Sequence, residues 1–311
     1  MTQIMAIGRY HDMDEAAFQD EFGALAIGSL KELPKLREEQ RAAIRGAAYK
    51  GHLQFSGELM DMLPSLKMIA KYGVGYDSID VAAATERGIV VTNTPDVLND
   101  DVADLAVGMW IALGREFEAG IKAVRSGSWA RAAPALAHKV SGRRVGILGM
   151  GRIGRAIADR LAAFKCDIHY FSRTAKETPG WHYHDDPLAL AGAVDDLVIS
   201  VVGGHETENL VRAKTLHALG PDGLLVNISR GSVIDEEALI GALETGVIRG
   251  AALDVFRNEP HVDPRLAAMP NVLPLPHIGT ATVETRTEMG VLQRRNLHAL
   301  LDGRGSITPV N

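Results

Sequence analysis

Three glycines with the spacing G-x-G-x-x-G lie near the middle of the chain, at Gly149, Gly151 and Gly154. They follow the short apolar run 145–148, typical of a buried strand, and precede 156–161, which has helical spacing. In such a turn the first glycine permits the tight bend, the second lets the backbone approach a phosphate, and the third lets the helix pack on the strand. The opening N–H groups of the helix then face the anion. A glycine-rich turn can also be only a turn, but these flanks predict a dinucleotide site.

The next predicted strand, 167–171, ends in residues that indicate which dinucleotide is used. Sites that select NAD carry an acidic residue roughly 20 positions after the glycine turn, where this chain has Ser172, Arg173 and Thr174. A carboxylate would repel a 2′-phosphate, whereas a serine hydroxyl can donate to it and a guanidinium can pair with it. The alternative is that Arg173 only stacks near the adenine. We therefore expect NADPH to be preferred over NADH, with Arg152 and Ile153 at the helix start also contacting the cofactor.

Two further side chains follow apolar strands. Arg230 comes after the predicted strand 224–228, and His277 comes after 272–275. Ligands bind at the carboxyl ends of the strands in parallel sheets. The planar guanidinium can hold a carboxylate through paired hydrogen bonds, and an imidazole can pass a proton near neutral pH. The alternatives are a surface arginine in a loop and a structural histidine, one of 11 in the chain. By themselves these residue types are suited to bind a carboxylate and to transfer a proton, and the alternatives stay open at this point.

Composition narrows the class of protein. The chain has 311 residues, enough for two domains, with 46% apolar and 23% charged residues and a formal charge of −6. That charge argues against a nucleic-acid partner, which would need a basic excess. The single cysteine, Cys166, excludes an internal disulfide and fits a reducing cytosol. Residues 1–15 do not resemble a signal peptide, and the most apolar stretch, 102–114, is too short to span a bilayer. We expect a cytoplasmic protein without a membrane partner.

Strand and helix patterns alternate along most of the chain, which predicts an α/β protein with parallel sheets. A first alternating unit ends near residue 95, and a second begins with the glycine turn. A mixed segment, 116–141, reads as a surface arm or an oligomer contact. The predicted strands are 3–7, 46–49, 66–70, 89–92, 145–148, 167–171, 197–202, 224–228, 250–254 and 272–275. The main predicted helices are 81–87, 99–115, 236–246 and 282–301, and the segments 16–25 and 33–44 are predicted to be helical or partly helical.

Several longer motifs occur in a fixed order from about residue 60 to the C-terminus. Together they resemble the D-2-hydroxyacid dehydrogenase family, and most closely its glyoxylate, hydroxypyruvate and hydroxyphenylpyruvate reductases. Motifs in order are far more specific than any one of them. They are KYGVGYD at 71–77, RGI at 87–89, NTP at 93–95, the glycine turn, NISRG at 227–231, LDVF at 253–256, EP at 259–260 and LPHIG at 275–279.

The resemblance implies two doubly wound parallel-sheet domains, a Rossmann cofactor domain and a flavodoxin-like substrate domain, with the active site in the cleft. Residues 1–95 and 284–311 would form a discontinuous substrate domain, and residues 96–283 the NAD(P)-binding domain. The family also implies a homodimer, which we expect to be built around the helix 99–115 and the arm that follows it.

The resemblance also assigns roles at the catalytic centre. Arg230 would bind the substrate carboxylate and help to polarise its carbonyl group, and His277 would deliver the proton. Glu259, which alone reads as a solvated charge, is paired with the histidine in the family pattern, where a carboxylate favours the imidazolium. The backbone N–H groups of Val74 and Gly75 would take the substrate carboxylate.

The remaining implied positions lie around this centre. Asp254 resembles the family residue that hydrogen-bonds the nicotinamide carboxamide, and Gly279 would also contact the cofactor. Lys50, His52 and Leu53 lie in the loop expected to face the substrate side chain, with Leu53 as the predicted contact.

The predicted function is NADPH-dependent reduction of a small 2-oxo acid, glyoxylate or hydroxypyruvate, to the D-2-hydroxy acid. Hydroxyphenylpyruvate reductase or another D-2-hydroxyacid dehydrogenase is the alternative within the family. Some proteins of this lineage act as corepressors, so a nucleotide-sensing binding protein is the alternative of another class. Phosphoglycerate dehydrogenase is disfavoured because the usual C-terminal regulatory extension is missing.

A cluster of metal-ligand residue types stands outside these motifs. His182, His184, Asp185 and Asp186 could be drawn as a metal site. We interpret them instead as a polar loop before the helix that starts near Pro187, and we expect no metal.

Overall fold

A computed structural model describes residues 2–311, so Met1, with which the first predicted domain begins, lies outside the described residues. The chain divides into two compact units. The first comprises the chain up to Leu98 together with Thr282–Asn311, and the second comprises Asn99–Ala281. Each unit contains one sheet in which every pairing between named strands is parallel. The predicted α/β class with two parallel sheets is confirmed.

The first sheet has five strands in the order β2-β1-β3-β4-β5, which is the flavodoxin-like order. Its strands are bounded by turns and short helices, and the inward side chains, such as Ile7, Tyr49 and Ile69, are buried. The strands are β1 (Ile4–Ile7), β2 (Leu25–Ile27), β3 (Gly46–Tyr49), β4 (Met68–Lys71) and β5 (Val90–Thr92), and the helices among them are α1 (Asp12–Phe22), α2 (Glu38–Ala43), α3 (Gly57–Asp61) and α4 (Val81–Glu86).

Two segments of this unit, 16–25 and 33–44, were expected to be helical or partly helical. The helix expected over 16–25 begins earlier and ends at Phe22, because Gly23 adopts the left-handed conformation (φ 52°) and closes the helix. Leu25 therefore starts β2, an edge strand that was not predicted. The segment 33–44 is partly helical, with a 3₁₀ turn over Leu30–Lys35 that contains Pro34 and then α2.

The second sheet has seven strands in the order β12-β11-β10-β9-β6-β7-β8, which is the Rossmann order extended by one strand. The elements are α5 (Asn99–Gly114), α6 (Phe117–Arg125), β6 (Arg144–Leu148), α7 (Arg152–Ala163), β7 (Asp167–Phe171), β8 (His182–His184), α8 (Pro187–Ala193), β9 (Asp196–Ile199), α9 (Ala213–Leu219), β10 (Leu224–Asn227), α10 (Glu236–Glu244), β11 (Gly250–Leu253), α11 (Pro264–Ala268) and β12 (Val272–Pro274). Helices and strands alternate along most of this unit, except that α6 follows α5 and β8 follows β7 without an intervening helix.

The segment interpreted as a polar loop at His182 and His184 is a strand instead. Residues 182–184 pair in parallel with β7, and Tyr183 alternates with the two histidines. A three-residue edge strand with polar side chains carries too few apolar residues to be recognised from sequence. Asp186, which was grouped with the histidines, caps α8 by accepting a hydrogen bond from Ala189 N at 3.1 Å.

A buried charge ties α5 to the second sheet. The carboxylate of Asp196, fully buried at the start of β9, accepts hydrogen bonds from Arg143 Nε at 2.7 Å and from Trp110 Nε1 at 2.8 Å. A buried carboxylate is tolerated when its oxygens are paired in this way. The predicted core helix is thus held on the sheet by a polar contact as well as by apolar packing.

The last helix, α12 (Val283–Leu301), returns to the first unit and packs on β3 and β4. Gln293 on this helix donates to Ala70 O at 2.6 Å, and Arg294 contacts Asp14 of α1 at 2.7 Å. This pairing explains why the first unit is discontinuous in sequence. Across residues 2–311, no helix combines the length and the apolar character needed to cross a membrane.

Candidate active site

The glycine turn between β6 and α7 has the geometry that the spacing predicts. Gly149 has φ 112°, and a Cβ there would lie 2.7 Å from Val201 N. A Cβ on Gly154 would lie 2.0 Å from Gly149 O, so only glycine lets the helix approach the strand. At Gly151, the N-cap of α7, a Cβ would meet no atom within 4 Å. The first and third glycines are therefore packed, while the second borders open space in front of the helix N-terminus.

This turn lies where the order of the second sheet reverses. Strand β6 is flanked by β9 on one side and by β7 on the other, so the chain leaves it in opposite directions along the sheet. Such a switch point forms a crevice at the carboxyl ends of the strands. Ser200, just after β9, donates its hydroxyl hydrogen to Gly149 O at 2.8 Å and fixes the turn against that neighbour. The residues fit a pyrophosphate on the N-terminus of α7.

The tip of β7 contains the residues expected at the adenosine ribose. Ser172 is only 9% exposed, and its hydroxyl donates to Thr174 O at 2.6 Å, which curls the loop back on itself. Arg173 and Thr174 are exposed. On β8, Tyr183 donates its hydroxyl hydrogen to Ser172 O at 3.3 Å. The hydroxyl hydrogen of Ser172 is thus used in a bond within the loop, and its oxygen can accept a further hydrogen bond. The exposed cation next to it is Arg173.

At the other end of the second sheet, His277 and Glu259 form a close pair. His277 Nδ1 lies 2.6 Å from Glu259 Oε2, and the second carboxylate oxygen accepts a hydrogen bond from Phe256 N at 2.9 Å. Both side chains are partly buried. The carboxylate therefore orients the ring through Nδ1. Proton exchange with a substrate would use Nε2.

The backbone at His277 is held in an uncommon conformation. His277 has φ 54°, and the next two N–H groups, of Ile278 and Gly279, donate to the two carboxylate oxygens of Asp254 at 2.7 and 2.8 Å. Asp254 is 1% exposed. Its pKa is raised, because the effect of burial outweighs the opposing effects of the two hydrogen bonds and of the nearby His277. A buried carboxylate thus anchors the turn that presents the imidazole. Sequence reasoning assigned Asp254 only to the nicotinamide and missed this positioning contact.

Arg230 is held by its own loop after β10. Its Nη1 donates to Ser229 O at 2.8 Å. A Cβ on Gly203 would lie 2.5 Å from the Cγ of Arg230, so the aliphatic part of the arginine occupies the space that a side chain at position 203 would need. Asn227, at the end of β10, donates to Arg230 O at 2.9 Å and accepts from Ser229 N at 3.0 Å. Sequence reasoning quoted Asn227 only as part of a motif. The signal available in the sequence was a polar residue at the end of an apolar strand. The structure shows that this side chain is fully buried, and a buried polar group needs hydrogen-bond partners.

The sheet register brings these side chains to one rim. Strands β10, β11 and β12 are neighbours, and the last paired residues are Asn227 with Leu253 and Leu253 with Pro274. Beyond these last pairs, at the carboxyl ends of the three strands, come Arg230, Asp254 and His277. We call Arg230, Asp254, Glu259 and His277 the acid–base rim. It combines a cation that can bind a carboxylate with an imidazole that a carboxylate supports.

In the first unit, the predicted carboxylate-binding segment follows β4. Gly73 has φ 128°, and its N–H donates to Thr94 Oγ1 at 3.0 Å, while Asn93 donates to Val74 O at 2.9 Å. Val74 and Gly75 are only partly buried. The side chains of Asn93 and Thr94, which follow β5, thus hold the loop in shape. The polar groups that Val74 and Gly75 can offer to a carboxylate are their backbone N–H groups.

The loop after β3, beside β4, carries the other predicted substrate residues. Leu53 and His52 are exposed, and Leu53 O accepts a hydrogen bond from the hydroxyl of Tyr49. Lys50 Nζ lies 5.0 Å from the centre of the Tyr72 ring, and burial lowers its pKa. The structure therefore exposes the Leu53 side chain and turns Lys50 onto aromatic rings of its own unit.

A sequence profile described as D-isomer specific 2-hydroxyacid dehydrogenase, NAD binding domain, matches residues 107–279, which include the glycine turn and the acid–base rim. The chain belongs to this dehydrogenase family. Family membership confirms the predicted enzyme class, an oxidoreductase, and the predicted use of a nicotinamide cofactor.

Relatives of this dehydrogenase cover nearly the whole chain. Glyoxylate/hydroxypyruvate reductase A from Arabidopsis thaliana is 42% identical over 296 residues, which is 95% of each protein. Hydroxyphenylpyruvate reductase from Plectranthus scutellarioides is 43% identical over 271 residues, 87% of each. The solved NADPH-dependent glyoxylate/hydroxypyruvate reductase from Sinorhizobium meliloti, in complex with NADP and malonate, superimposes with a TM-score of 0.94 at 42% identity, over 99% of this chain and 96% of that one.

Proposed function

We propose that this dehydrogenase reduces a small 2-oxo acid, glyoxylate or hydroxypyruvate, to the D-2-hydroxy acid with NADPH. The observation that carries the proposal is the His277–Glu259 pair, with its 2.6 Å contact, on the same rim as Arg230. An imidazolium next to a carboxylate is suited to protonate a nascent alkoxide, and a guanidinium is suited to bind the acid. Reductases of glyoxylate and hydroxypyruvate are among the relatives that match almost the full length.

In the proposed reaction each group acts at a stated atom. When bound, the reduced nicotinamide supplies a hydride to the carbonyl carbon. Arg230 binds the substrate carboxylate and polarises the carbonyl oxygen, and the N–H groups of Val74 and Gly75 are further candidates for binding a carboxylate. His277 transfers the proton on Nε2 to the oxygen and ends neutral, while Glu259 holds Nδ1 throughout. Asp254 keeps the turn at His277 in place.

The proposed preference for NADPH depends on the tip of β7. Neither Ser172 nor Arg173 places a negative charge there, and Arg173 is exposed and available to a 2′-phosphate. The complex of the Sinorhizobium meliloti reductase with NADP is consistent with this preference. Gly149, Gly151 and Gly154 would hold the pyrophosphate, with Arg152 and Ile153 opening the helix and Thr174 and Gly279 as further contacts.

A second candidate substrate is an aryl pyruvate such as hydroxyphenylpyruvate. It is supported by the Plectranthus scutellarioides relative, which matches at nearly the same identity, and by the exposed side chain of Leu53 in the loop predicted to face the substrate. An apolar contact at this position would accept either a small or an aromatic side chain.

One steady-state panel tests these proposals. Glyoxylate, hydroxypyruvate and hydroxyphenylpyruvate are each assayed with NADPH and with NADH. We expect the highest kcat/KM for one of the two small acids with NADPH. A higher value for hydroxyphenylpyruvate would transfer the proposal to the aryl substrate, and an equal or higher value with NADH would reject the cofactor preference.

The arm after α5 supports a homodimer. Helix α6 exposes Phe117, Ile121 and Val124 on one face, and the arm beyond it exposes Trp129 and Leu136, the latter 95% accessible. Large apolar side chains exposed along one helix face are typical of a protein interface. We propose a second copy of the chain as its partner. Sedimentation at micromolar concentration should give a dimeric mass, and Ile121→Glu should give a monomer. A monomeric wild-type protein would contradict the proposal.

A further inference from the structure

Three histidines and one aspartate form a cluster on the outer strands of the second sheet. Asp167 and His169 lie two residues apart on β7, and His182 and His184 lie two residues apart on β8. Since side chains alternate along a strand, each pair points to one face, and the register places His169 opposite His182. The ring centres of His169 and His182 are 4.6 Å apart. We call these four residues the histidine cluster; it lies at the edge opposite the acid–base rim.

The donor atoms of the cluster have the spacing of metal ligands. His169 Nε2 lies 3.4 Å from Asp167 Oδ2, and His182 Nε2 lies 3.2 Å from Asp167 Oδ1. One ligand atom from each of Asp167, His169 and His182 falls within 4.8 Å of the others. Ligands of a tetrahedral zinc ion at 2.0–2.2 Å stand about 3.3–3.5 Å apart. Small side-chain rotations would therefore bring three ligands to one ion, with the fourth position left for water.

His184 supplies the outer contact that a ligating histidine usually has. Its Nε2 lies 2.9 Å from His169 Nδ1 and the two rings are stacked, so His169 is engaged on the side away from Asp167. A ligating histidine typically donates its second N–H to such a partner, which fixes the tautomer.

The surroundings leave the cluster open to an ion. The His169 side chain is 13% exposed and that of His182 is 56% exposed, so one ligand is anchored and another can turn toward solvent. Arg144 is the register neighbour of Asp167, but its guanidinium is bound to Asp195 at 2.6 Å. This cation is therefore already paired with a different carboxylate.

We propose that Asp167, His169 and His182 bind a borderline divalent transition-metal ion, represented by Zn²⁺, with His184 as a positioning residue. Imidazole and carboxylate donors suit Zn²⁺ and its neighbours in the first transition row. The ion would tie the short edge strand β8 to β7. Through the Tyr183 contact to Ser172 O, it would also steady the loop at the tip of β7. This set differs from the one considered from sequence, because Asp167 and His169 replace Asp185 and Asp186.

The test measures metal binding directly. Because Glu259 and His277 are themselves possible ligands, every variant is made in the His277→Ala background, with any affinity tag removed. Zn²⁺ is titrated by calorimetry, and Co²⁺ by its visible d–d absorption. We expect one equivalent to bind at micromolar concentration and to give the absorption of a four- or five-coordinate nitrogen–oxygen site.

Matched variants locate the ion. His182→Asn and Asp167→Asn should weaken Zn²⁺ binding roughly 10-fold or more, and His184→Ala about 10-fold with the stoichiometry kept. His217→Gln is the control, because His217 is an exposed histidine on α9 that contacts Ala213 O. Equal binding by the His182→Asn variant, or no binding by the His277→Ala protein, would overturn the proposal. A folded variant is recognised by unchanged circular dichroism.

Discussion

The two edges of the second sheet differ in how their functional side chains are held. At the acid–base rim, His277, Glu259 and Arg230 each contact a neighbouring group at 2.6–2.9 Å, and Asp254 accepts two backbone N–H groups behind the imidazole. At the tip of β7, near the other edge, Arg173 projects from an exposed loop. One edge is organised before any ligand binds, and the other offers charge on a surface loop.

This difference follows from what each edge has to do. Proton transfer requires donor and acceptor atoms within a few tenths of an ångström of a fixed distance, so the groups must be positioned in advance. Discrimination between two cofactors that differ by one phosphate needs only charge of the right sign, and charge acts over a longer range. Substitutions at the rim should therefore reduce turnover strongly, and substitutions at the β7 tip should change cofactor KM more modestly.

The largest effect is expected for His277→Ala. Removal of the proton donor should lower kcat/KM for the 2-oxo acid by about 10²- to 10⁴-fold, with cofactor binding retained. Steady-state kinetics and NADPH fluorescence titration measure the two quantities, and His217→Ala serves as the control. Near-normal reduction by the His277→Ala enzyme would show that another group donates the proton.

The next effect is expected for Arg230→Lys. Lysine keeps the positive charge but lacks the planar fork that binds a carboxylate through two hydrogen bonds. We expect kcat/KM to fall by about 100-fold, mainly through KM, and Arg230→Ala to fall further. If Arg230→Ala left both KM and kcat intact, the carboxylate would be bound elsewhere.

Glu259→Gln should lower the rate of reduction. The amide keeps an oxygen that can accept the hydrogen bond from His277 Nδ1, which lies 2.6 Å from Glu259 Oε2, but it removes the negative charge beside the ring. Steady-state kinetics should show a loss of about 10- to 50-fold in kcat/KM for the 2-oxo acid. An unchanged kcat/KM would mean that proton transfer by His277 does not depend on the carboxylate.

The smallest effects are expected at the β7 tip. Ser172→Asp would place a carboxylate near the 2′-phosphate and should raise KM for NADPH about 10-fold more than KM for NADH. Arg173→Ala is the companion variant and should weaken NADPH selectively by about two- to fivefold, as is usual for an exposed ion pair. If KM for NADPH and KM for NADH changed equally, the tip of β7 would not be responsible for the preference for NADPH.

Much of the framework was predictable from sequence for local reasons. Gly149 and Gly154 have conformational and steric demands that only glycine meets, and these demands are set by the strand and helix on either side. Arg230 and His277 follow apolar strands, and strand ends in a parallel sheet form one edge wherever the strands lie. The five-residue strand β7 was predicted at the observed boundaries. The edge strands β2 and β8 were missed because three residues carry too little periodicity.

The amino-acid sequence by itself determined the type of fold, the glycine turn and the residue types available for acid–base chemistry, because each depends on neighbours within a few positions along the chain. Only the tertiary structure decided which groups support them. Asp254 holds the backbone of residues 24 and 25 positions away, and Asp167 and His169 meet His182 across two strands. Such contacts depend on strand order and register, which arise from packing of the whole sheet and are not encoded in any single segment.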